Sequence, residues 1–243
     1  MIQNNFKIVS PGWCCSSYVS DCINSVLNQQ YQNWEQIVVN DNSTDDTEEK
    51  VLSFSKEKRL FYKKNSKNLY AIENCVDSIN LLCSDPEDVI VFLDADDYLF
   101  DSTVLKKLND AYQDETLWLT YGNYITQSTG KIGCCEPITT SHDVRFQSWK
   151  FSHLKTMKYK LWKKIQDDDL RDWDGNYIRF GWDQPIMWPA IEAAGIKRIK
   201  CFSEPLMMYV DSNPLSDCKD SKKQNYIDKL KEYLKAKEPY KEC

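Results

Sequence analysis

Positive charge is in deficit in this chain: 31 Lys and Arg stand against 37 Asp and Glu, a formal net charge of −6. A chain with that balance lacks the basic surface that binds nucleic acid through its phosphates. Long apolar runs are also missing. The opening MIQNNFKIV holds none long enough for a signal peptide, and no later stretch reaches the length of a membrane span. The expected setting is cytoplasmic, with peripheral membrane contact as the most the sequence allows. No two cysteines form a CxxC pair, and the neighbours Cys14-Cys15 and Cys134-Cys135 do not have zinc-ligand spacing. Only two histidines occur, His142 and His153. No internal repeat, low-complexity tract or linker interrupts the chain.

What is present describes a globular protein. Charged residues make up 28% and aromatics 13% of 243 residues, enough to bury a sizeable core. The ten cysteines, several on apolar helix positions (Cys22, Cys75, Cys83), read as buried reduced thiols rather than disulfides. The simplest division is one domain over residues 1–243. Within it, residues 1–100 form one half, 101–215 a second half, and 216–243 an amphipathic C-terminal helix.

Residues 6–10, 34–39, 60–62 and 89–93 read as strands, and between them apolar residues recur at helical spacing. Tyr18, Cys22, Ile23, Val26 and Leu27 mark one helix; Leu69, Ile72, Val76, Ile79 and Leu82 mark another. Ser43 with Asp46 suggests a helix start. Alternating strand and helix predicts an α/β fold: a mostly parallel, twisted central sheet with helices on both faces, Rossmann-like. Ligands then bind at the carboxyl ends of the strands. After residue 100 the pattern loosens. A helix is expected around Val104, Leu105 and Leu108, and a strand over 117–125. Loop with short strands follows over 127–147. Leu154, Met157, Leu161 and Ile165 predict a helix opened by Ser152. A further helix over 182–194 stops at Gly195, with a kink expected at Pro189. Strands are expected over 196–202 and 206–210, and Tyr226, Ile227, Leu230, Tyr233 and Leu234 define the final helix.

The segment VIVFLDADDYLF, residues 89–100, ends a buried strand in three carboxylates, Asp94, Asp96 and Asp97. Like charges so close repel. A hard divalent cation, Mg²⁺ or Mn²⁺, takes oxygen ligands and would remove that repulsion. A solvated turn before the next helix is the plain alternative.

The surrounding motifs bear on that choice. IVSPGWCCSSYVSDCINSVLNQQYQNWEQIVVNDNSTDDT, residues 8–47, resembles the opening of family 2 glycosyltransferases of the GT-A fold. Ser25-Val26-Leu27-Asn28-Gln29 and the run from Val38 to Thr47 match the family's Ser-Val-Leu-x-Gln and Val-Val-x-Asp-x-Ser-x-Asp-x-Thr. The DxD strand lies at the expected separation, and TYGNYI, WDQPIMWPAIEAAG and FSEPLMMYVDSNPLSD also look like this family. Two departures stand out. Trp13-Cys14 replaces the family's Tyr-Asn, and Tyr70 stands where a glycine is common after the third strand.

The resemblance implies an inverting sugar transfer from a nucleotide-sugar donor, a UDP-sugar foremost, to a hydroxyl on a glycan, protein or lipid. Trp13 would stack on the nucleobase and Asp41 would accept a hydrogen bond from it, with Pro11 and Asn68 completing the donor contacts. Asp94 would face the ribose; Asp96, with Asp97 as second ligand, would hold the metal. Asp183, in GWDQP, would be the general base. Asp172, Asp174 and Glu192 are the next carboxylates to consider for that role. Residues 1–100 would be the nucleotide-sugar-binding half and 101–215 the acceptor and catalytic half, with Trp182 beside Asp183 able to stack on an acceptor sugar face. Each residue has a plainer reading: packing for Trp13 and Trp182, a turn for Asp41, helix capping for Asp97 and Asp183. His153 is open to a diphosphate or metal contact or to a structural hydrogen bond. Lys155, Lys158, Lys160, Lys163 and Lys164 read as a solvated face, one of which could meet donor phosphate. The C-terminal helix is open to membrane or partner binding or to packing on the domain. Two other functions compete. A nucleotidyltransferase would need a Gly-rich, basic loop after the first strand, which SPGWCCSS lacks. A non-catalytic nucleotide-sugar-binding protein would not need intact Asp94, Asp96 and Asp183.

Overall fold

A computed structural model describes residues 2–215 and 221–243. Strands and helices alternate through the first half: β1 (Phe6–Gly12), α1 (Val19–Leu27), β2 (Trp34–Asn40), α2 (Thr47–Leu52), β3 (Leu60–Lys64), α3 (Tyr70–Leu82) and β4 (Val89–Phe92). The second half adds β5 (Tyr98–Leu99), α4 (Val104–Ala111), β6 (Leu119–Thr126), β7 (Lys155–Lys158), α5 (Tyr159–Trp162), α6 (Asp183–Ala194), β8 (Ile199–Tyr209) and α7 (Ser221–Lys235). All eight strands join one sheet in the order β3-β2-β1-β4-β7-β6-β8-β5. Strands β1 to β4 are mutually parallel, β6 is parallel to β8, and β7 and β5 run against their neighbours. The sheet is therefore mixed but mostly parallel, as expected.

The buried strands are apolar on both faces because both faces are covered. Phe6, Ile8, Val89 and Val91 pack with Cys22 and Val26 of α1 and Val104, Leu105 and Leu108 of α4. Their strand neighbours Val9, Ile90 and Phe92 point the other way, to Ile72, Cys75 and Ile79 of α3 and Ile186 and Ala190 of α6. Leu230 and Leu234 of α7 are buried in that second layer, so the apolar side of the C-terminal helix is packed on the domain. No helix among the described residues is long and apolar enough to cross a membrane. The nine cysteines among them are all free thiols, and burial pushes Cys15 up to about 12, which makes it unreactive near neutral pH.

Four local expectations change. The helix expected from Leu154 to Ile165 is strand β7 followed by the single turn α5. Its residues pair with β4 and β6 in the middle of the sheet, and those partners outweigh a spacing that reads as helical. The Lys155 and Lys158 side chains are buried rather than solvated. The two strands expected after Gly195 are one strand, β8, with its register against β6 broken where Pro205 removes a donor. Finally, α2 starts at Thr47, and Ser43 instead accepts the Cys14 N–H at 2.8 Å. Ser216 and Asp217, in the last of the quoted motifs, lie outside the described residues.

Candidate active site

Parallel strands deliver their following loops to one edge of the sheet, and main-chain bonds lace those loops together. The Asp41 N–H donates to the Gly12 carbonyl at 2.9 Å, and the Ala95 N–H to that of Pro11 at 3.0 Å. Gly12 is required here by space: a Cβ on it would lie 2.6 Å from Ala95 Cβ and 2.7 Å from Cys15 Sγ. Strand β7 runs the other way, so its beginning reaches the same edge, with Lys155 opposite Phe92. The edge opens into a cleft of about 690 Å³. Its wall includes Pro11, Trp13, Asp41, Asn68, Asp94, Asp96, Asp97 and Asp183, so the residues expected at the donor, the metal and the foremost base position line one space.

Asp94, Asp96 and Asp97 each present a carboxylate oxygen within 4.8 Å of the others. The turn is closed by the Asp97 N–H on the Asp94 carbonyl at 3.0 Å. Asp97 is buried and accepts the Val210 N–H at 2.8 Å; Asp96 accepts the Asn213 amide at 2.7 Å. The turn is thereby tied to the end of β8, and the first turn of α4 is capped by Gln29, whose Oε1 accepts the Leu105 N–H at 2.9 Å, so Asp97 is not its cap. Burial, and then the charges of Asp96 and Asp94, push the Asp97 carboxyl well above the usual carboxylate range. Three close oxygens, one destabilised as an anion, suit a small hard cation: its charge would offset both terms.

Asp41 organises the loop before α3. It accepts hydrogen bonds from Asn65 Nδ2 at 2.7 Å and from the Leu69 and Tyr70 N–H groups at 2.8 Å each. Tyr70 has φ +64°, a left-handed conformation where glycine would be unstrained. Its ring meets Phe180 edge-on at 5.4 Å, and the Arg179 guanidinium lies 5.8 Å above it. Tyr70, Arg179 and Phe180 all line the cleft, so this contact bridges the loop before α3 to the loop before α6. Trp13 is 43% exposed, leaving a ring face open.

Asp183 is the first residue of α6, without a side-chain cap bond at that helix start. Its Oδ1 accepts a hydrogen bond from Lys155 Nζ, and the ammonium also lies 4.2 Å above the Trp182 ring. Burial would raise the Asp183 carboxyl; the charge of Lys155 and its hydrogen bond hold the carboxyl below its ordinary value. His153 is half-buried on the cleft wall, and burial together with Lys155 lowers its imidazole to about 3, so it is neutral. The other carboxylates considered as bases are absent from the wall. Glu192 is buried against Arg145, and Asp172 accepts the Tyr226 hydroxyl and the N–H groups of Asp174 and Asn176.

The profile of Glycosyl transferase family 2 matches residues 8–132, just over half of the chain. The chain belongs to this family. An uncharacterized glycosyltransferase of Haemophilus influenzae is 33% identical over 121 residues, covering 49% of this chain and 46% of that protein. The Escherichia coli UDP-Glc:alpha-D-GlcNAc-diphosphoundecaprenol beta-1,3-glucosyltransferase WfgD is 30% identical over 119 residues, covering 49% and 45%. The aligned stretch thus covers a little under half of each of these relatives. Among solved structures, S. aureus TarS 1-349 in complex with UDP superposes with a TM-score of 0.69 at 16% identity, over 95% of this chain and 65% of that one. The fold is the GT-A type of glycosyltransferases.

Family membership accounts for the first half of the cleft, where the profile matches. The second half was harder to read from sequence. Lys155 lies in a lysine run that reads as solvated, and Asn213, which holds Asp96, lies in the last family-like motif but is not marked there as a site residue. Arg179 and Phe180 were equally silent.

Proposed function

We propose that this family 2 chain transfers a sugar from a nucleoside diphosphate sugar to an acceptor hydroxyl, with inversion at the anomeric carbon. The observation that carries this reading is that Asp183 shares one cleft with the Asp94, Asp96 and Asp97 cluster and with Trp13 and Asp41. Support for a UDP-sugar comes from relatives: TarS binds UDP and UDP-GlcNAc in its solved complexes, and WfgD is named for UDP-Glc. WfgD and the similarly named Escherichia coli WfaP act on a diphosphoundecaprenol-linked sugar, which favours a lipid-linked acceptor here.

In this reading Trp13 stacks on the base. Asp41 has three of its roughly four acceptor sites occupied by Asn65 and the start of α3, which leaves one for the base. Asp94 takes the ribose. Asp96 and Asp97 hold a divalent cation, Mg²⁺ or Mn²⁺, which when bound offsets charge on the leaving diphosphate. Asp183 takes the acceptor's proton as the hydroxyl oxygen bonds to the anomeric carbon and the bond from that carbon to the diphosphate breaks. Pro11 and Asn68 shape the donor side of the wall.

Calorimetry of UDP with Mn²⁺ and with EDTA, on wild type and Asp96→Ala, tests the donor site. Binding should strengthen with Mn²⁺ in the wild type and lose that gain in Asp96→Ala, with a remnant in Asp96→Glu. Equal affinity in wild type and Asp96→Ala at saturating Mn²⁺ would show that the cation sits elsewhere.

A further inference from the structure

Lys155 has no contact with the cleft. Its side chain is 0% exposed, it does not line the wall, and it therefore cannot reach a donor phosphate. An ammonium removed from water is costly unless an anion meets it. The ion-pair partner the structure gives Lys155 is Asp183, whose side chain is 28% exposed on the wall. Strand β7 explains the geometry. Thr156 points toward α4, where its hydroxyl bonds Tyr112 at 2.8 Å. Lys155 and Met157 therefore point to the opposite face, toward α6. The antiparallel entry of β7 places Lys155 at the carboxyl edge of the sheet, under the start of α6. The Trp182 ring closes over the ammonium at 4.2 Å.

We propose that Lys155 is a positioning residue: through Oδ1 it fixes the Asp183 carboxylate at the cleft wall as an anion and leaves Oδ2 to take the acceptor proton. This rests on the proposed role of Asp183 as base. Among the described residues Oδ2 accepts no hydrogen bond, which matches that division of labour. The step balances without Lys155 changing state. The hydroxyl proton moves to Asp183, the nucleoside diphosphate leaves as an anion, and Lys155 stays protonated and bonded to Oδ1 throughout. The other charged groups on this wall are Asp41 just after β2, Asp94, Asp96 and Asp97 on the DxD turn, Arg179 on the loop before α6, and Lys223 and Lys231 of α7. His153, beside Lys155, is neutral. Lys155 is the group bonded to the carboxylate itself.

The test reads the Asp183 carboxyl directly, by NMR titration of ¹³C-aspartate-labelled protein, with the signal assigned by its loss in Asp183→Asn. Hydrolysis of UDP-glucose or UDP-GlcNAc, water serving as acceptor, supplies a parallel pH–rate profile. In the wild type the carboxyl should stay ionised to below the ordinary Asp value of about 3.9. In Lys155→Met it should titrate at least about one pH unit higher, and the acid limb of kcat/KM should move with it. That makes hydrolysis about tenfold slower than wild type on the acid limb, with recovery toward wild type above it. Lys155→Arg, which keeps the charge, should stay near wild type, and UDP–Mn²⁺ affinity should hold in all variants. A Lys155→Met titration unmoved from wild type, or a rate lowered equally at every pH, would overturn the proposal by showing a merely structural lysine. So would a wild-type Asp183 that protonates above about pH 5, a result that needs no variant to fold. Undiminished hydrolysis in Asp183→Asn would instead remove the base, and the positioning role with it, even where the titration shift between Lys155 variants is found.

Discussion

Removing Arg145 should cost this protein several kcal/mol, because of what it strands: breaking a buried ion pair costs roughly 3–5 kcal/mol. Arg145 is 4% exposed and grips Glu192, 3% exposed, with two parallel bonds of 2.8 Å. Its remaining nitrogen donates to the carbonyls of Leu234 at 2.6 Å and Lys237 at 3.2 Å, at the end of α7. Glu192 in turn accepts the Tyr240 N–H at 3.1 Å. Arg145→Met keeps the apolar stem but leaves a buried carboxylate without its cation, a loss of about 3–5 kcal/mol. For a chain of this size each kcal/mol lowers the melting temperature by about 2–4 °C, so a drop of roughly 6–20 °C is expected. The double variant Arg145→Met, Glu192→Met removes both charges together. Its deficit should shrink to the orphaned carbonyls and the Tyr240 N–H, at about 1 kcal/mol each. Thermal and urea unfolding of the two single variants and the double complete the cycle. A single variant within about 1 kcal/mol of wild type, or a double variant as damaged as the sum of the singles, would refute the claim that this pair anchors α7. Because α7 also contributes Ile227 to the cleft wall, the single variant should weaken UDP–Mn²⁺ binding as well.

Three further outcomes follow from the site. Asp183→Asn should cut turnover by about 10²–10⁴-fold if the carboxylate is the base. It should also destabilise by about 1–3 kcal/mol, since the amide still accepts a bond from Lys155 but no longer neutralises it; unfolding in urea separates the two effects. Trp13→Ala should weaken UDP by roughly 5- to 150-fold, the equivalent of about 1–3 kcal/mol of stacking, with the melting temperature nearly unchanged because the side chain is 43% exposed. Gly12→Ala should cost about 1–3 kcal/mol and impair Mn²⁺-dependent UDP binding, because the added methyl meets Ala95 beside the Asp94 and Asp96 carboxylates; unchanged calorimetry would show that the turn gives way freely.

Much of the first half of the molecule was legible. Val89 to Phe92 and Ile37 to Val39 are continuous apolar runs because helices cover both faces of their strands, and the Cys22, Ile23, Val26 spacing of α1 matches the residues it buries. Those are local patterns, and the parallel βα order that they imply also sends residues 13, 41 and 94–97 to one edge. The second half depends on partners far away in sequence. The spacing of Leu154, Met157 and Leu161 is helical, yet the segment is a strand because β4 and β6 offer it hydrogen bonds on both sides. Nothing near Glu192 in the chain marks it as unavailable for the role of base; Arg145, 47 positions earlier, is paired with it.

The sequence by itself determined the alternating strand and helix order, through periodicities of two and 3.6 residues, and its short motifs carried the resemblance to family 2 glycosyltransferases and pointed to the carboxylates proposed for the site. Only the tertiary structure decided which charges are paired. Lys155 and Asp183 are 28 positions apart, on a strand and a helix that meet because β7 enters the sheet antiparallel. Whether a lysine is solvated or buried on a carboxylate depends on what desolvates it, and that is set by the packing of distant elements and by no pattern of its neighbours in the chain.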